Sequence, residues 1–281
     1  MEKLKRNERV GALMNILTRN PNKIFSYSYF CQLFNVRKSS ISGDVAILKE
    51  LLEKLDLGLV ETITGSNGGV KFIPKIKKEE LIQTLEDLSI QLSNPERIIP
   101  GGFIFMLDIL YNPEIIKKLG LIIANKFIDK HIDYIVTIET KGIPLALMTA
   151  EVLNVPLVII RKNIKITEGS TVNINYVSGS TKMVQTMSLS KKSLKENSKV
   201  LIVDDFMRGG GTFKGVYEMM SEFKASVVGT CVLIATKFPE KKLVDNYISL
   251  LTMEKIDEEE KKVILTPNFC KLNKKLKKFS K

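Results

Sequence analysis

Two adjacent acids followed by three glycines are the residues of this chain most suited to binding chemistry. Asp204 and Asp205 end the apolar run Val200–Val203, which is typical of a buried parallel strand. Carboxylates at that place can accept hydrogen bonds from the hydroxyls of a sugar. The triplet Gly209–Gly211 allows backbone N–H groups to approach a phosphate, and Thr212 adds a hydroxyl where a helix is expected to begin. The segment therefore predicts a ribose-5-phosphate site.

Other phosphate-binding patterns also place glycines near a strand. A P-loop requires G-x-x-x-x-G-K-[ST], and the sequence has no such loop. A dinucleotide fold requires G-x-G-x-x-G directly after a strand, whereas here two acids intervene and the three glycines are adjacent. A purely structural glycine turn stays open as the alternative.

The segment Val200–Thr212 resembles the phosphoribosyl-pyrophosphate (PRPP) motif of type I phosphoribosyltransferases. In that family the paired acids hold the ribose hydroxyls, and the loop that follows wraps the 5-phosphate. The resemblance implies PRPP-binding roles for Asp204, Asp205, Phe206, Met207, Arg208, Gly209, Gly210, Gly211 and Thr212.

Two earlier segments are similar to the same family. The strand and turn Val136–Pro144 resemble its pyrophosphate loop, and the strand Val155–Lys162 ends in a basic pair. Their order ahead of the main motif strengthens the resemblance, which implies ligand roles for Thr140, Lys141, Gly142, Arg161 and Lys162.

The net charge of +12 is concentrated at the two ends of the 281-residue chain. Residues 1–78 carry +7 and residues 271–281 carry +6, whereas residues 79–270 carry −1. A small basic region beside a neutral one is typical of a separate nucleic-acid-binding domain. The length and the 44% apolar content fit two domains with their own cores.

Several classes of protein are disfavoured by composition. No run of 18 apolar residues predicts a membrane span, and the charged start Met1–Arg6 lacks the apolar region of a signal peptide. Three scattered cysteines and the single His131 argue against disulfide frameworks, zinc sites and Ser-His-Asp catalysis. These features predict a cytoplasmic protein with no required cofactor.

The basic N-terminal region has the pattern of a helix-turn-helix. Val10, Leu13, Met14 and Leu17 share one face of a helix, and Tyr29–Phe34 predict a short second helix. Ser39 is expected to cap a third helix, whose buried stripe is Ile41, Val45, Leu48, Leu52 and Leu55.

A Gly-rich hairpin at 59–73 would then form the wing of a winged helix. The polar side chains expected to face DNA are Arg37, Lys38, Ser39, Ser40, Ser42 and Lys71. A protein-interaction domain of three helices stays open as the alternative, although the charge argues against it.

The remaining elements predict an α/β domain. Helices are expected at 79–92 and 115–128, and parallel strands at 134–138, 156–160, 200–204 and 226–234. Alternation at 171–177 and 183–189 predicts a β-hairpin, where the phosphoribosyltransferase fold carries a mobile flap. Phe103 and Tyr111 are candidates for stacking on a purine base, although core packing is the favoured role.

A winged helix joined to such a domain resembles the purine operon repressors of Gram-positive bacteria (PurR type). Segments that carry the resemblance include Lys38–Ser42, Asn94–Arg97, Asn175–Ser180 and Asp204–Met207. The resemblance implies domains at 1–74 (winged helix) and 75–270 (phosphoribosyltransferase-like), followed by a basic tail at 271–281.

The same resemblance implies a homodimeric, catalytically inactive regulator that binds double-stranded operator DNA. PRPP, alone or with Mg²⁺, would be the effector that weakens DNA binding, and (p)ppGpp would compete for its pocket. Two other functions stay open: an active purine phosphoribosyltransferase with a basic accessory domain, and an RNA-binding attenuation protein.

Overall fold

The computed structural model describes residues 4–65, 68–162, 169–177 and 183–269. The expected basic tail at 271–281 lies outside these residues. The chain divides into two compact units, the first made of residues 1–78 with 151–154 and the second of residues 79–150 with 155–281. No helix within the described ranges is both long and apolar enough to cross a membrane.

The first unit is a winged helix-turn-helix. Its elements are α1 (Arg6–Thr18), α2 (Tyr27–Phe34), α3 (Lys38–Lys54), β1 (Gly58–Ile63) and β2 (Gly69–Pro74). The two strands pair in an antiparallel hairpin, to which Phe25 adds a bridge at Val70. The core between helices and hairpin is built from Leu13, Leu17, Phe25, Phe30, Phe34, Ile41, Val45, Leu48, Leu52, Val60, Val70 and Phe72.

The expected second helix is confirmed with an earlier start, and two details of the third helix were wrong. The second helix begins at Tyr27, because Ser26 accepts a hydrogen bond from the backbone N–H of Tyr29 and caps it. The third begins at Lys38, so Arg37 holds the cap position and Ser39 is an exposed residue of the first turn. Leu55 follows the last helical residue, and 47% of it is exposed.

The second unit is an α/β domain. In chain order its helices are α4 (Lys78–Leu92), α5 (Leu107–Leu110), α6 (Pro113–Phe127), α7 (Ile143–Leu153) and α8 (Gly211–Glu222). Its strands are β3 (Ile98–Ile99), β4 (Phe103–Ile104), β5 (Tyr134–Ile138), β6 (Leu157–Ile160), β7 (Thr171–Val177), β8 (Val184–Ser190), β9 (Lys199–Met207), β10 (Ser226–Thr236), β11 (Tyr247–Asp257) and β12 (Lys262–Pro267).

Six strands form the central sheet in the order β12-β11-β10-β9-β5-β6. All neighbours are parallel except β12, which pairs antiparallel with β11. The expected parallel sheet is confirmed, and β11 and β12 were not foreseen. The sheet's apolar face packs on α8 and on the separate β7-β8 hairpin, referred to below as the flap hairpin.

The acidic pair lies inside β9 rather than after it. On one side β9 pairs with β10 as far as Met207, but on the other its pairing with β5 ends at Ile202. Asp204 and Asp205 therefore lie in a part of β9 that pairs with β10 on one side but extends beyond its pairing with β5 on the other. Such a gap at the carboxyl edge of a parallel sheet is where α/β folds bind ligands.

Candidate functional site

The acidic pair is almost enclosed by protein. Only 7% of Asp204 is exposed, and its Oδ1 accepts a hydrogen bond of 3.0 Å from the backbone N–H of Asp205. Burial raises the pKa of Asp204 well above its ordinary value, and the neighbouring charge of Asp205 raises it further. Sugar hydroxyls that donate to these oxygens would stabilise the ionised form that burial disfavours.

Two lysines act on the same carboxyls from the loops that were expected to bind pyrophosphate. Burial raises the pKa of Asp205 as well, while the charge of Lys141 opposes that rise. Lys162 lowers the pKa of both acids. The sequence predicted these groups from three separate segments, and the structure brings them within electrostatic reach of each other.

Gly142 connects the segment Glu139–Gly142, here called the pyrophosphate loop, to the acidic pair. A Cβ atom at Gly142 would overlap the carboxylate of Asp204 and would lie 2.6 Å from Oγ1 of Thr137. Thr137 is fully buried, and within the described part of the chain its hydroxyl has no hydrogen-bond partner. The glycine is therefore required here by close packing.

Glu139 is a member of the site that the sequence did not reveal. Its Oε1 accepts a hydrogen bond of 2.7 Å from the backbone N–H of Lys162, and its Oε2 lies 3.3 Å from Nη1 of Arg161. The carboxylate thus ties the pyrophosphate loop to the basic pair after β6. It also offsets the charge of Arg161, whereas Lys141 and Lys162 are exposed.

The residues Arg208–Thr212, here called the phosphate loop, turn from β9 into α8. Gly210 precedes the helix with φ of +83°, in the region that only glycine adopts readily, and its position beside Leu243 leaves little room for a side chain. Gly209 accepts a hydrogen bond of 2.9 Å from the backbone N–H of Leu243. The segment 236–244 therefore packs against the phosphate loop and stabilises its conformation.

A buried lysine contributes to that support. Lys242 is 7% exposed, and its Nζ donates to Oγ1 of Thr236 at 3.0 Å. The Thr236 hydroxyl donates to the carbonyl oxygen of Phe238 at 2.6 Å and lies 3.2 Å from the carbonyl oxygen of Arg208. Burial lowers the pKa of Lys242 to about 8. This cation was not foreseen, because nothing in a run of surface-type residues signals that one of them is enclosed.

The residues that follow the acid pair differ in how accessible their side chains are. The side chain of Met207 belongs to the hydrophobic core, so only its backbone is available to a ligand. Phe206 is half-buried, and Arg208 is exposed. Burial raises the pKa of Tyr176 in the flap hairpin, and the side chain of Thr212 acts in the opposite direction.

Core packing was the favoured role for Phe103 and Tyr111, but neither is a core residue in the structure. They are 38% and 55% exposed. The same part of the chain contains a tight ion pair between Arg97 and Asp108, with N–O distances of 2.7 and 2.8 Å. Arg97 also donates to the carbonyl of Phe105 at 3.1 Å. Stacking of the two rings on a base stays a prediction.

The residues expected to meet DNA lie mostly on the surface of the winged helix. Arg37, Lys38, Ser39 and Ser42 are exposed around the first turn of α3, and Ser40 is half-buried. Lys71 on the wing is held by Glu61, its cross-strand partner, at 3.0 Å.

Two unexpected contacts stabilise the third helix. Asp44 is 1% exposed and accepts hydrogen bonds of 2.7 and 3.2 Å from Arg9, which joins α3 to α1. Arg6 also lies near Asp44, and its guanidinium would meet a Cβ at Gly43 at 3.5 Å. The glycine inside this helix thus faces an arginine.

Comparison with known proteins divides the chain in the same way. The sequence profile of the family described as "Bacterial purine repressor, N-terminal" matches residues 5–74, and that of the "Phosphoribosyl transferase domain" matches residues 106–265. Among solved structures, adenine phosphoribosyltransferase from Rhodothermus marinus superposes with a TM-score of 0.53 at 22% identity. That match covers 61% of this chain and 99% of the other.

Two relatives match over nearly their whole length. The purine biosynthesis transcriptional repressor PurR of Bacillus subtilis is 45% identical over 273 residues, which is 97% of this chain and 96% of the relative. The purine biosynthesis transcriptional activator PurR of Lactococcus lactis is 42% identical over 254 residues, which is 90% of this chain and 94% of the relative.

Proposed function

The chain belongs to the PurR family of transcriptional regulators of purine biosynthesis, and on that premise we propose that it is an operator-binding repressor released from DNA by PRPP. The observation that carries the proposal is the convergence of a buried acid pair, a pyrophosphate loop and a phosphate loop at one edge of the sheet. Mg²⁺ that arrives with PRPP would share its pyrophosphate oxygens and offset the ligand's charge.

The winged helix supplies the other half of the proposed function. Its first turn of α3 presents Arg37 and Lys38 beside hydroxyl groups, a combination suited to phosphate and base-edge contacts in a major groove. A homodimer would present two such helices to the two halves of an operator. Because its target is chromosomal DNA, the protein would act in the cytoplasm.

PRPP would weaken DNA binding through linkage. The ligand and the operator need only favour different arrangements of the protein, and a coupling of about 1–3 kcal/mol is enough for a useful switch. A direct electrostatic route would add to it, since the ligand's negative charge would compensate Lys141, Lys162 and Arg208. The alarmone (p)ppGpp carries comparable phosphates and would compete for the same pocket.

The test is a titration of operator binding against PRPP and (p)ppGpp at fixed salt. Asp204→Ala combined with Asp205→Ala should abolish release by PRPP and leave operator affinity nearly unchanged. The matched control is Glu79→Ala with Glu80→Ala, which removes the same charge from an exposed adjacent pair on α4 and should keep the response. If the Asp204→Ala, Asp205→Ala protein lost DNA binding, or was still released from the operator by PRPP, the assignment would be wrong.

An active phosphoribosyltransferase is the second candidate, favoured by the domain profile that spans residues 106–265. Binding PRPP and using it need much the same groups, so the site does not separate the two. We propose that the protein is inactive as an enzyme. Incubation with PRPP and each common purine, followed by an assay for released pyrophosphate, should show no turnover above that of the Asp204→Ala, Asp205→Ala protein.

A further inference from the structure

We propose that Lys242 is a positioning residue that keeps the carbonyl groups of the phosphate loop turned away from the ligand, and whose charge adds to the attraction for the ligand's 5-phosphate. This inference rests on the proposed PRPP site and assigns a role to a residue outside its motifs. Lys242 lies in the segment 236–244, which begins at the end of β10 and packs against the loop.

Two carbonyl groups of the phosphate loop are held by that segment. The carbonyl oxygen of Gly209 accepts a hydrogen bond of 2.9 Å from the backbone N–H of Leu243. The carbonyl oxygen of Arg208 lies 3.2 Å from the hydroxyl of Thr236. Both peptide units are trans, so each N–H points opposite to its C=O. The N–H groups of Gly209 and Gly210 are therefore directed away from the segment, toward the side on which the 5-phosphate is proposed to bind.

Lys242 determines where the Thr236 hydroxyl directs its proton. Its Nζ donates to Oγ1 of Thr236 at 3.0 Å. An ammonium group can only donate, so Thr236 accepts there and its single proton is left for a carbonyl group. The two carbonyl oxygens within reach are those of Phe238, at 2.6 Å, and of Arg208, at 3.2 Å. Lys242 also immediately precedes Leu243, so burial of its side chain anchors both contacts with the loop.

The ammonium group is buried without a counter-ion. Only 7% of Lys242 is exposed, and among the described residues it has a hydrogen bond to Thr236 but no ion pair with a carboxylate. Burial lowers its pKa to about 8, and no neighbouring charge opposes that change. A buried charge of this kind lowers the stability of the fold. Attraction of an anionic ligand is a reason for its presence that the fold alone does not provide.

The charged groups around Lys242 do not neutralise it. Glu254 of β11 lies 2.7 Å from Nζ of Lys237 and is paired with that lysine. The exposed charged residues near Lys242 in the chain or on the phosphate loop are Arg208, Lys237, Glu240, Lys241 and Asp245. A phosphate dianion bound at the loop would supply the negative charge that these groups do not, so it would bind more tightly while Lys242 is protonated.

Calorimetry with PRPP and ribose 5-phosphate tests this role. Lys242→Met should weaken binding of both ligands by about 5- to 20-fold at pH 7.5, on the order of the Coulomb attraction between a dianion and one unit charge in a partly solvated site. The matched control is Lys241→Met, which removes the same charge from the exposed neighbouring position. It should leave both affinities nearly unaltered.

The pH profile separates the charge from the packing of the side chain. A neutral lysine still donates to Thr236, so a merely structural role would give Lys242→Met the same loss at every pH. If the charge acts, wild-type affinity for ribose 5-phosphate should fall between pH 7.5 and 9.5 and approach that of Lys242→Met, because the pKa of Lys242 is about 8. The ligand's phosphate is already a dianion over this range, so Lys242→Met should show a nearly level profile.

Several results would overturn this inference alone. They are equal affinity of wild type and Lys242→Met for ribose 5-phosphate, an equal loss in Lys241→Met, and a loss in Lys242→Met that is the same at pH 7.5 and 9.5. Urea unfolding shows whether Lys242→Met is folded. If it is not, the profiles of wild type and Lys241→Met decide, and level profiles would contradict the role. Absence of PRPP binding by the wild type would overturn the proposed function with it.

Discussion

Gly142 and Asp204 are packed so closely that the glycine's missing side chain is what allows the carboxylate to occupy its place. They are 62 positions apart in the chain, on a loop after β5 and within β9. The contact joins the loop expected to bind pyrophosphate to the acids expected to bind ribose. A substitution at Gly142 should therefore displace Asp204, and a change at Asp204 should alter the packing of Gly142.

Gly142→Ala should therefore abolish PRPP binding and destabilise the domain by about 1–3 kcal/mol, because the new methyl group must displace the Asp204 carboxylate. Calorimetry and urea unfolding would measure the two effects. Gly229→Ala is a matched control, since its Cβ would overlap the ring of Phe127. It should destabilise the fold while the folded fraction still binds PRPP. Normal PRPP affinity in Gly142→Ala would contradict the assigned site.

Asp204→Asn should stabilise the protein at neutral pH while it removes PRPP binding. The folded-state pKa of Asp204 is raised, so as pH rises above about 4 the carboxyl ionises first in the unfolded chain and stability falls until the folded-state pKa is passed. An amide avoids that loss. Denaturant unfolding between pH 4 and 8 should show the variant's advantage growing with pH.

The opposite sign is expected at Asp108. Its hydrogen bond with Arg97 lowers its pKa, so its contribution is present at neutral pH and is lost as pH falls through the folded-state pKa. Asp108→Asn should thus be slightly less stable than wild type at pH 7, by a small amount because the pair is partly solvated. If Asp204→Asn destabilised the protein, as Asp108→Asn is expected to, the charge argument for Asp204 would fail.

Lys242→Met should raise the free energy of unfolding at pH 7 by about 1–3 kcal/mol, because a buried ammonium is replaced by an apolar chain of similar length. The folded-state pKa of about 8 lies below the ordinary 10.5. Between those values the unfolded chain binds more protons, so the wild type gains stability as pH rises and the variant's advantage should shrink. Lys241→Met, at the exposed neighbouring position, should show neither effect in chemical denaturation at pH 7, 8.5 and 10.

Gly43→Ala should stabilise the winged helix by about 0.5–1 kcal/mol, since the residue is helical and its Cβ would make only an ordinary contact with Arg6. Operator affinity, measured by fluorescence anisotropy, should not change. Gly11→Ala on α1, where a Cβ meets nothing within 4 Å, is the control for the gain in stability. A drop in operator affinity for Gly43→Ala alone would mean that DNA approaches the helix at this glycine.

The sequence by itself determined the architecture apart from β11 and β12, and it located the acid pair and the glycine triplet of the candidate site. Apolar periodicity located the helices of the winged helix and the strands of the sheet, since burial of one face leaves a repeat that is visible locally. The acid pair and the glycine triplet could also be recognised from the sequence. They are only a few residues apart on one strand and the turn after it, so their spacing is visible without the fold.

Only the tertiary structure decided which residues from different elements come into contact. The support of the basic pair by Glu139, the approach of Thr137 to Gly142 and the packing of Tyr176 against Gly215 all join separate elements. Their residue types are common in any strand or loop, so no local pattern marks them. Phe103 is exposed although phenylalanine is usually buried, and Lys242 is buried although lysine is usually exposed. The burial of a residue depends on which other parts of the chain pack beside it, and its type alone does not decide this.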